Sequence, residues 1–333
     1  MTPGSGRVRL ADVAEAADVS VATVSRCLHV PDQVNAATRE RVLGVVQRLG
    51  YAPDLAARAL RTGHSRVIGA VVPTLENSIF ARGLQAFQDE LSAHGTTMLL
   101  ASSNYDPEEE FRQIRALAAQ GIRGLMLIGG SRSPDVYAML AQYRIPHVIA
   151  WGVGAGDQPY VGFDNHAAAK SMAEAVIAAG HHNIAMVAGQ SVGNDRAAAR
   201  IDGVREALRA ADRPPLVVEE AAYSFDAAGA ALDRLLSRTP KPDAVICGND
   251  VQGVGVLRRA ADLGIAVPEE LVVTGFDDID LAQVVTPSLT TVHVPHRRMG
   301  QLCAQALMEG NSGRQTIQTE IVWRASFPRP RGV

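Results

Sequence analysis

The 333-residue sequence lacks an apolar run long enough to span a bilayer, and it has no apolar signal segment near its amino terminus. It contains only three cysteines, Cys27, Cys247 and Cys303, which lie far apart without CxxC or Cys/His spacing. These absences argue against a membrane protein, a secreted disulfide scaffold and a zinc module. We therefore expect a cytoplasmic protein with reduced, mostly buried thiols, no metal, no cofactor and no membrane partner.

Catalytic motifs are also missing from the sequence. Gly129–Ser131 lacks the GxxxxGK(S/T) pattern of a phosphate loop, and His181–His182 has no further ligands at metal-binding spacing. Glu108–Glu110 fits the acidic start of a helix, where the helix dipole favours carboxylates. No base accompanies the carboxylate in Gly248–Asp250. The sequence therefore predicts a protein that is not an enzyme.

Charge is distributed unevenly, although the net charge is only -3. Residues 1–66 contain nine Arg and no Lys against six Asp and Glu, which gives +3 and leaves -6 for the remaining residues. A basic segment joined to an acidic remainder fits local binding of phosphates without general attraction to polyanions.

The segment 10–26 predicts two short amphipathic helices joined by a tight turn. The expected shared core is Val13, Ala14, Val24 and Leu28. Ser20 is placed to cap the second helix, whose outer face is short-chained and hydroxyl-bearing, with one arginine. Such a face suits close approach to base edges and phosphates in the DNA major groove. Helices are expected at 10–17, 21–29 and 36–49, the third capped by Asn35.

From residue 67 onward, short β-branched runs alternate with helices, which predicts parallel sheets covered on both faces. Strands are expected at 67–73, 97–102, 124–128, 147–151, 160–163, 184–188, 217–219, 244–247 and 271–276. Helices are expected near 78–94, 108–120, 135–143, 165–179, 197–211, 226–237, 251–263 and 296–309. Nine strands suit two doubly wound lobes better than one sheet, and ligands bind at the carboxyl ends of such strands.

The predicted fold class is therefore α/β, with a small all-α helix-turn-helix head and two doubly wound parallel-sheet lobes. The expected divisions are 1–52 for the head, 53–65 for a hinge, 66–163 with 293–318 for one lobe, and 164–292 with 319–333 for the other. Within the hinge, the Ala-rich stretch 54–63 has helix propensity but is too short to be stable alone.

The chain resembles the lactose/galactose repressor (LacI/GalR) family of bacterial transcription regulators over nearly its entire length. The resemblance is carried by Leu10–Arg26, Val34–Val42, Leu49–Pro53, Ala56–Leu60, Gly162–Asn165, Ala179–His181, Cys247–Asp250, Thr274–Asp278 and Pro287–Val292. Within the family, Val71–Ala81, Val161–Asn165 and Pro295–Gly300 resemble the gluconate-operon repressors most. The resemblance implies lobes of periplasmic-binding-protein type and a homodimeric repressor on a pseudo-palindromic double-stranded operator, controlled by a small sugar or sugar-acid effector.

Four positions depart from the family pattern. Asp18 stands where the turn of the head usually carries Gly, and Asp tolerates the left-handed conformation that the turn requires. Val21 and Ala22 begin the reading helix, which predicts contacts to thymine methyl groups more than hydrogen bonds. His29 replaces a common asparagine.

The predicted DNA-binding residues are Leu10, Ser20, Val21, Ala22, Thr23, Ser25, Arg26, His29, Asn35, Thr38, Tyr51, Arg58, Leu60 and Arg61. Those at helix starts offer hydroxyls, amides and backbone N–H groups to phosphates. The resemblance implies that Leu60, one per subunit, wedges into the minor groove and kinks the operator, with Arg58 and Arg61 on phosphates. The alternative for Leu60 is packing against its own head, and for Thr23 and Ser25 it is simple solvation.

The predicted effector-binding residues are Asn77, Phe80, Trp151, Arg196, Arg200, Asn249 and Asp277. Arg196 and Arg200 lie on one helical face and suit a carboxylate or phosphate, whereas Asn249 and Asp277 suit sugar hydroxyls. Trp151 offers an apolar wall. This set favours an anionic polyol such as gluconate. Two alternatives stay open: the arginines form surface ion pairs with Asp195 and Asp202, or the chain is a sugar-processing enzyme with a fused DNA-binding head.

Overall fold

A computed structural model of the protein describes residues 8–51, 66–76, 78–310 and 313–328. The chain divides into two compact units, Met1–Ser65 and Arg66–Val333. Among the described residues, no helix has both the length and the apolar character that a membrane span requires. All three cysteines are buried and free, as predicted.

The first unit is a small helical head. Its elements are α1 (Leu10–Ala16), α2 (Val21–His29), a 3₁₀ turn (Pro31–Gln33) and α3 (Ala36–Leu49). The predicted caps are confirmed, because the side chains of Ser20 and Asn35 accept hydrogen bonds from the backbone N–H of Thr23 (3.1 Å) and Thr38 (2.8 Å). Asp18 adopts φ 50°, so the left-handed turn forms without glycine.

A single apolar cluster holds the three helices of the head together. The buried members are Val13, Ala14, Ala17, Val24, Cys27, Val42 and Val45, with Leu28 partly buried against them. The predicted shared core is therefore confirmed, and each fully buried aliphatic side chain contributes about 1.5–3 kcal/mol. In so small a unit, this cluster is what orients α2.

The second unit alternates strands and helices along the chain. The strands are β1 (Val67–Val72), β2 (Thr97–Ser102), β3 (Leu125–Ile128), β4 (His147–Ala150), β5 (Tyr160–Gly162), β6 (Ile184–Ala188), β7 (Val217–Glu220), β8 (Ala244–Cys247), β9 (Val272–Thr274), β10 (Thr291–His293), β11 (Arg314–Thr316) and β12 (Glu320–Val322). The helices are α4 (Ser78–Ala93), α5 (Pro107–Ala119), α6 (Pro134–Gln142), α7 (Asn165–Ala178), α8 (Asp195–Ala210), α9 (Phe225–Leu236), α10 (Asp250–Asp262), α11 (Asp280–Val284) and α12 (His296–Glu309).

Two parallel sheets organise this unit, which confirms the predicted fold class. The first lobe has the strand order β11-β5-β4-β3-β1-β2, and the second has β7-β6-β8-β9. A separate antiparallel pair joins β10 to β12, with Val292 opposite Ile321. All nine predicted strands are present, whereas β10, β11 and β12 were not predicted.

The central strands are apolar on both faces because helices cover both sides of each sheet. In β3, Leu125 and Leu127 pack into one apolar cluster, while Met126 and Ile128 pack into another. In β6, Met186 likewise packs into one apolar cluster and Val187 into another, on the opposite face of the sheet. The carboxyl ends of these strands carry the loops described next.

Candidate functional site

The second helix of the head presents the side chains predicted to contact DNA. Val21, Ala22 and Arg26 are exposed, and Thr23 and Ser25 are half-buried. The hydroxyls of Ser20 and Thr23 lie 2.9 Å apart, and Arg26 Nε donates to the carbonyl of Ala22 at 3.4 Å. The start of α2 is thus a hydroxyl-rich surface with one cation.

The other predicted DNA-binding residues fall into three groups. Asn35 is exposed and Thr38 half-buried at the start of α3, whereas Leu10 and Tyr51 are partly buried against the core of the head. The side chain of His29 lies outside the described residues. Arg58, Leu60 and Arg61, with the expected hinge helix, also lie outside them, as does Asn77.

A cavity of about 830 Å³ opens between the loops that follow the strands of the two lobes. The first lobe contributes Thr74 and Tyr105, and the second contributes Asn194 and Tyr223. The rings of Tyr105 and Tyr223 lie 5.9 Å apart, and Asn194 Nδ2 donates to the Tyr223 hydroxyl at 3.1 Å. Tyr105 also lines a neighbouring cavity of about 470 Å³, to which Arg196 contributes.

A buried polar cluster lies at the strand ends of the second lobe, and Arg200 is its central cation. Arg200, Asn249 and Asp277 do not line the larger cavity, whereas Val251 and Ile279, two residues beyond Asn249 and Asp277, do. Its Nε donates to Asn165 Oδ1 at 2.8 Å, its Nη1 donates to the carbonyl of Gly248, and its guanidinium lies 3.7 Å from the ring centroid of Phe276. These contacts fix the guanidinium in one place. Arg200 does not pair with Asp202, which bonds Arg205 instead, so the surface-pair alternative is wrong for Arg200.

Asp277 is the unusual member of this cluster. Its carboxylate is fully buried, yet neither oxygen has a hydrogen-bond partner, and Oδ1 lies 3.8 Å from Arg200 Nη2. The residue adopts φ 105°, a conformation that is costly for any residue other than glycine. Burial raises the pKa of Asp277 to about 7, although Arg200 and Arg196 act in the opposite direction. Such a group is expected where a ligand completes the hydrogen bonding.

Other buried atoms of this region also lack partners, among them Nδ2 of Asn249, Nε2 of His296 and Oγ1 of Thr274. Asn249 uses its Oδ1 to cap α10, where it accepts from the backbone N–H of Gln252 at 2.9 Å. His296 Nε2 lies 3.9 Å from Asp277 Oδ1. Two strand ends and the start of α12 therefore present the Asp277 carboxylate and two nitrogens with unused hydrogen-bonding capacity.

Trp151 and Phe80 lie in the apolar core next to this cluster and are fully buried. Their rings meet edge to face, with centroids 5.5 Å apart, and Trp151 Nε1 donates to His296 Nδ1 at 3.0 Å. Both residues therefore support the site from the core of the first lobe. The residues His296, Asn165, Tyr105 and Tyr223 were not predicted from the sequence. The only signal for the first two was that they belong to family-like segments.

Arg196 connects the two lobes. Its Nη1 donates to the carbonyl of Ile128 at 3.2 Å and to Asp195 Oδ1 at 3.0 Å, and Asp195 Oδ2 accepts from the backbone N–H of Gly130 at 2.6 Å. Side chains of α8 thus hold backbone groups that follow β3. Arg196 does form the ion pair with Asp195 that the alternative interpretation expected.

A helix-turn-helix head joined to a two-lobed unit with a polar interlobe site defines a DNA-binding regulator with a ligand-binding domain. Residues 9–54 match "Bacterial regulatory proteins, lacI family", and residues 173–327 match "Periplasmic binding protein-like domain". The regulator GntR of Escherichia coli (strain K12) is 34% identical over 301 residues, which cover 90% of both chains.

Two solved structures share the fold over almost the full chain. The lac repressor dimer bound to operator and an anti-inducer superposes with a TM-score of 0.83 at 26% identity, covering 96% of this chain and 99% of that one. The regulator CelR in complex with cellobiose superposes with a TM-score of 0.70 at 29% identity, covering 96% and 100%. The chain belongs to the lacI family of bacterial regulatory proteins. It is a DNA-binding transcriptional repressor with an effector-binding domain.

Proposed function

We propose that operator binding by this repressor is controlled by a small carbohydrate effector, a sugar acid such as gluconate, that binds between the two lobes. The observation that carries the proposal is the fully buried carboxylate of Asp277, which has no hydrogen-bond partner and lies two residues before Ile279, a residue of the cavity lining. An unsatisfied buried polar group costs about 1–3 kcal/mol, and a ligand that satisfies it recovers that free energy on binding.

The hydrogen-bonding groups of the cluster support a polyol as the effector. Hydroxyl groups can donate to Asp277 and accept from Asn249, because a hydroxyl is both a donor and an acceptor. CelR, which shares this fold, forms a complex with the sugar cellobiose, and this supports a carbohydrate as the effector.

The two arginines of the site, Arg196 and Arg200, support an acid as the effector. Arg200 already uses Nε and Nη1 within the protein, so its Nη2 is the part that faces Asp277. Arg196 lines the neighbouring cavity and is therefore the arginine best placed for an effector carboxylate. The similarity to GntR is in keeping with gluconate as the first compound to test.

In the DNA-binding half of the proposal, two copies of the chain read a pseudo-palindromic operator, because a two-fold symmetric protein requires a two-fold symmetric site. The surface of α2 enters the major groove, and residues 53–65 form the hinge that carries Leu60 into the minor groove. Effector and operator then affect each other's affinity equally, by about 1–3 kcal/mol per site. Induction is the expected sign for a sugar acid.

The experiment compares D-gluconate with D-glucitol, which has the same hydroxyl pattern but no carboxylate. We expect D-gluconate to raise the melting temperature and to release operator DNA, and Arg196→Ala to abolish this response without weakening operator binding by the free protein. Arg205→Ala is the matched control, since Arg205 lies on the same helix, is exposed and bonds Asp202. A normal response in Arg196→Ala would remove that residue from the site.

We further propose that the protein does not convert its effector. Its relatives are named as regulators, and the Asp277 carboxylate is fully buried 3.8 Å from the guanidinium of Arg200. After prolonged incubation with D-gluconate, chromatography should recover the compound unchanged. Turnover would support the alternative of a sugar-processing enzyme.

A further inference from the structure

The neighbouring Trp151 determines which ring nitrogen of His296 accepts a hydrogen bond and which one donates. The indole N–H of Trp151 can only donate, so His296 Nδ1 must accept at the observed 3.0 Å. Burial lowers the pKa of His296 to about 3, which keeps the imidazole neutral near pH 7. A neutral imidazole carries one proton, and that proton must therefore be on Nε2.

The fixed Nε2–H lies beside Asp277 but does not bond to it. The distance from Nε2 to Asp277 Oδ1 is 3.9 Å, beyond a hydrogen bond. Within the usual distance and angle limits neither atom has another partner among the described residues, although the backbone of Asp277 also lies close to the imidazole. A buried donor and a buried acceptor thus lie next to each other, slightly too far apart to form a hydrogen bond. One oxygen atom that accepts from Nε2 and donates to Oδ1 satisfies both.

Among the functional groups of an effector, a hydroxyl group fits this pair best, since like water it both accepts and donates. A ligand carboxylate accepts from Nε2 but is repelled by Asp277, and an ammonium group donates to Asp277 but opposes the Nε2–H. Arg200 Nη2, 3.8 Å from Asp277 Oδ1, is a further donor on the same side and favours an oxygen ligand.

Trp151 is itself held in one conformation. Its backbone N–H donates to Met299 Sδ at 3.3 Å, and its carbonyl accepts from Asn165 Nδ2 at 2.9 Å. It adopts φ 60°, which is rare for a bulky residue and persists only where the surroundings enforce it. The hydrogen-bond direction of His296 is therefore set before any ligand arrives.

We propose that His296 is a specificity-determining residue of the effector site, whose Nε2–H, fixed by Trp151, reads one hydroxyl group of the effector together with the carboxylate of Asp277. This inference rests on the proposed function and adds the kind of group that is recognised. Trp151 is the positioning residue, since it acts only through His296.

The first test is nitrogen NMR of the full-length protein labelled with ¹⁵N-histidine, with His296→Phe used to assign the signal. We expect the Nε2–H tautomer at His296 at pH 7, and a mixture of tautomers in Trp151→Phe. A proton on Nδ1 in the wild-type protein would overturn the proposal without reference to any ligand.

The second test is calorimetry with D-gluconate, D-glucitol and their monodeoxy analogues. Removal of one particular hydroxyl should weaken binding to the wild type about 10- to 100-fold, because a buried donor and acceptor are then left unpaired. In His296→Phe the same removal should cost less than about threefold, and His296→Gln, which retains an N–H donor, should recover part of the discrimination. His94→Phe, at an exposed histidine of the first lobe, is the control that should behave as wild type.

The outcomes separate the two proposals. Binding without any difference between wild type and His296→Phe across the deoxy series overturns the role of His296 and leaves the carbohydrate site intact. Failure of both parent compounds to bind overturns the carbohydrate effector, and the role of His296 with it.

Discussion

Ionisation of Asp277 should make effector affinity depend on pH. Burial raises its pKa to about 7, so about one molecule in ten carries the carboxylate at pH 6 and about nine in ten carry it at pH 8. A hydroxyl donates a stronger hydrogen bond to a carboxylate than to a neutral carboxyl group. Effector therefore binds the ionised form better, and affinity rises with pH through about 7, by up to about tenfold between pH 6 and pH 8.

The assay is calorimetry with D-glucitol at constant ionic strength, because this ligand has no group that titrates in the range. His296 stays neutral there, since burial lowers its pKa to about 3, and Arg200 stays charged. Asp250 also titrates nearby, because burial raises its pKa to about 8. The pH dependence should remain in Asp250→Asn and disappear in Asp277→Asn. Wild-type affinities that agree within twofold at pH 6 and pH 8 would refute the reasoning.

Three further changes test other parts of the molecule. Ser20→Ala removes the cap of α2 and should cost about 1 kcal/mol of head stability. Gel shifts should show weaker operator binding, with unchanged effector affinity. Ser20→Asn should restore head stability and operator binding, because Asn also caps helices. Arg200→Lys loses the bonds to Asn165 and Gly248 and should lower stability by about 2–4 kcal/mol in urea unfolding; an unchanged midpoint would contradict the structural role assigned to its guanidinium. Leu60→Ala, outside the described residues, should weaken operator binding sharply without altering effector affinity, and equal operator affinity would refute the minor-groove wedge.

Local signals in the sequence were sufficient for the head and for the main strands. Ser20 and Asn35 cap helices through bonds to residues only three positions away, and Asp18 adopts the turn conformation by its own side-chain chemistry. The nine predicted strands are short apolar runs whose burial on both faces follows from their composition.

Long-range pairing explains what could not be predicted. β11 (Arg314–Thr316) is exposed and polar, and it becomes a strand only because it lies parallel to β5 (Tyr160–Gly162), far away in the chain. The role of His296, at the start of α12, likewise depends on Trp151, which follows β4 and is 145 positions away in the chain. Asp277 and Arg200 were identified by residue type, but no pattern in the sequence indicates that the carboxylate has no partner.

The contact that side chains of α8 make with the loop after β3 is asymmetric in its chemistry. One side consists of main-chain groups at Ile128 and Gly130, which every residue other than proline possesses, and the other side consists of the functional groups of Asp195 and Arg196. Mutation can therefore remove these bonds easily from α8 but hardly at all from the loop after β3. The exception is Gly129, with φ 71°, where any Cβ atom would collide with both α8 side chains. At this contact, substitutions that change how firmly the lobes are held therefore fall on α8 and at Gly129, whereas at the pair Tyr105 and Tyr223 they can arise on either lobe.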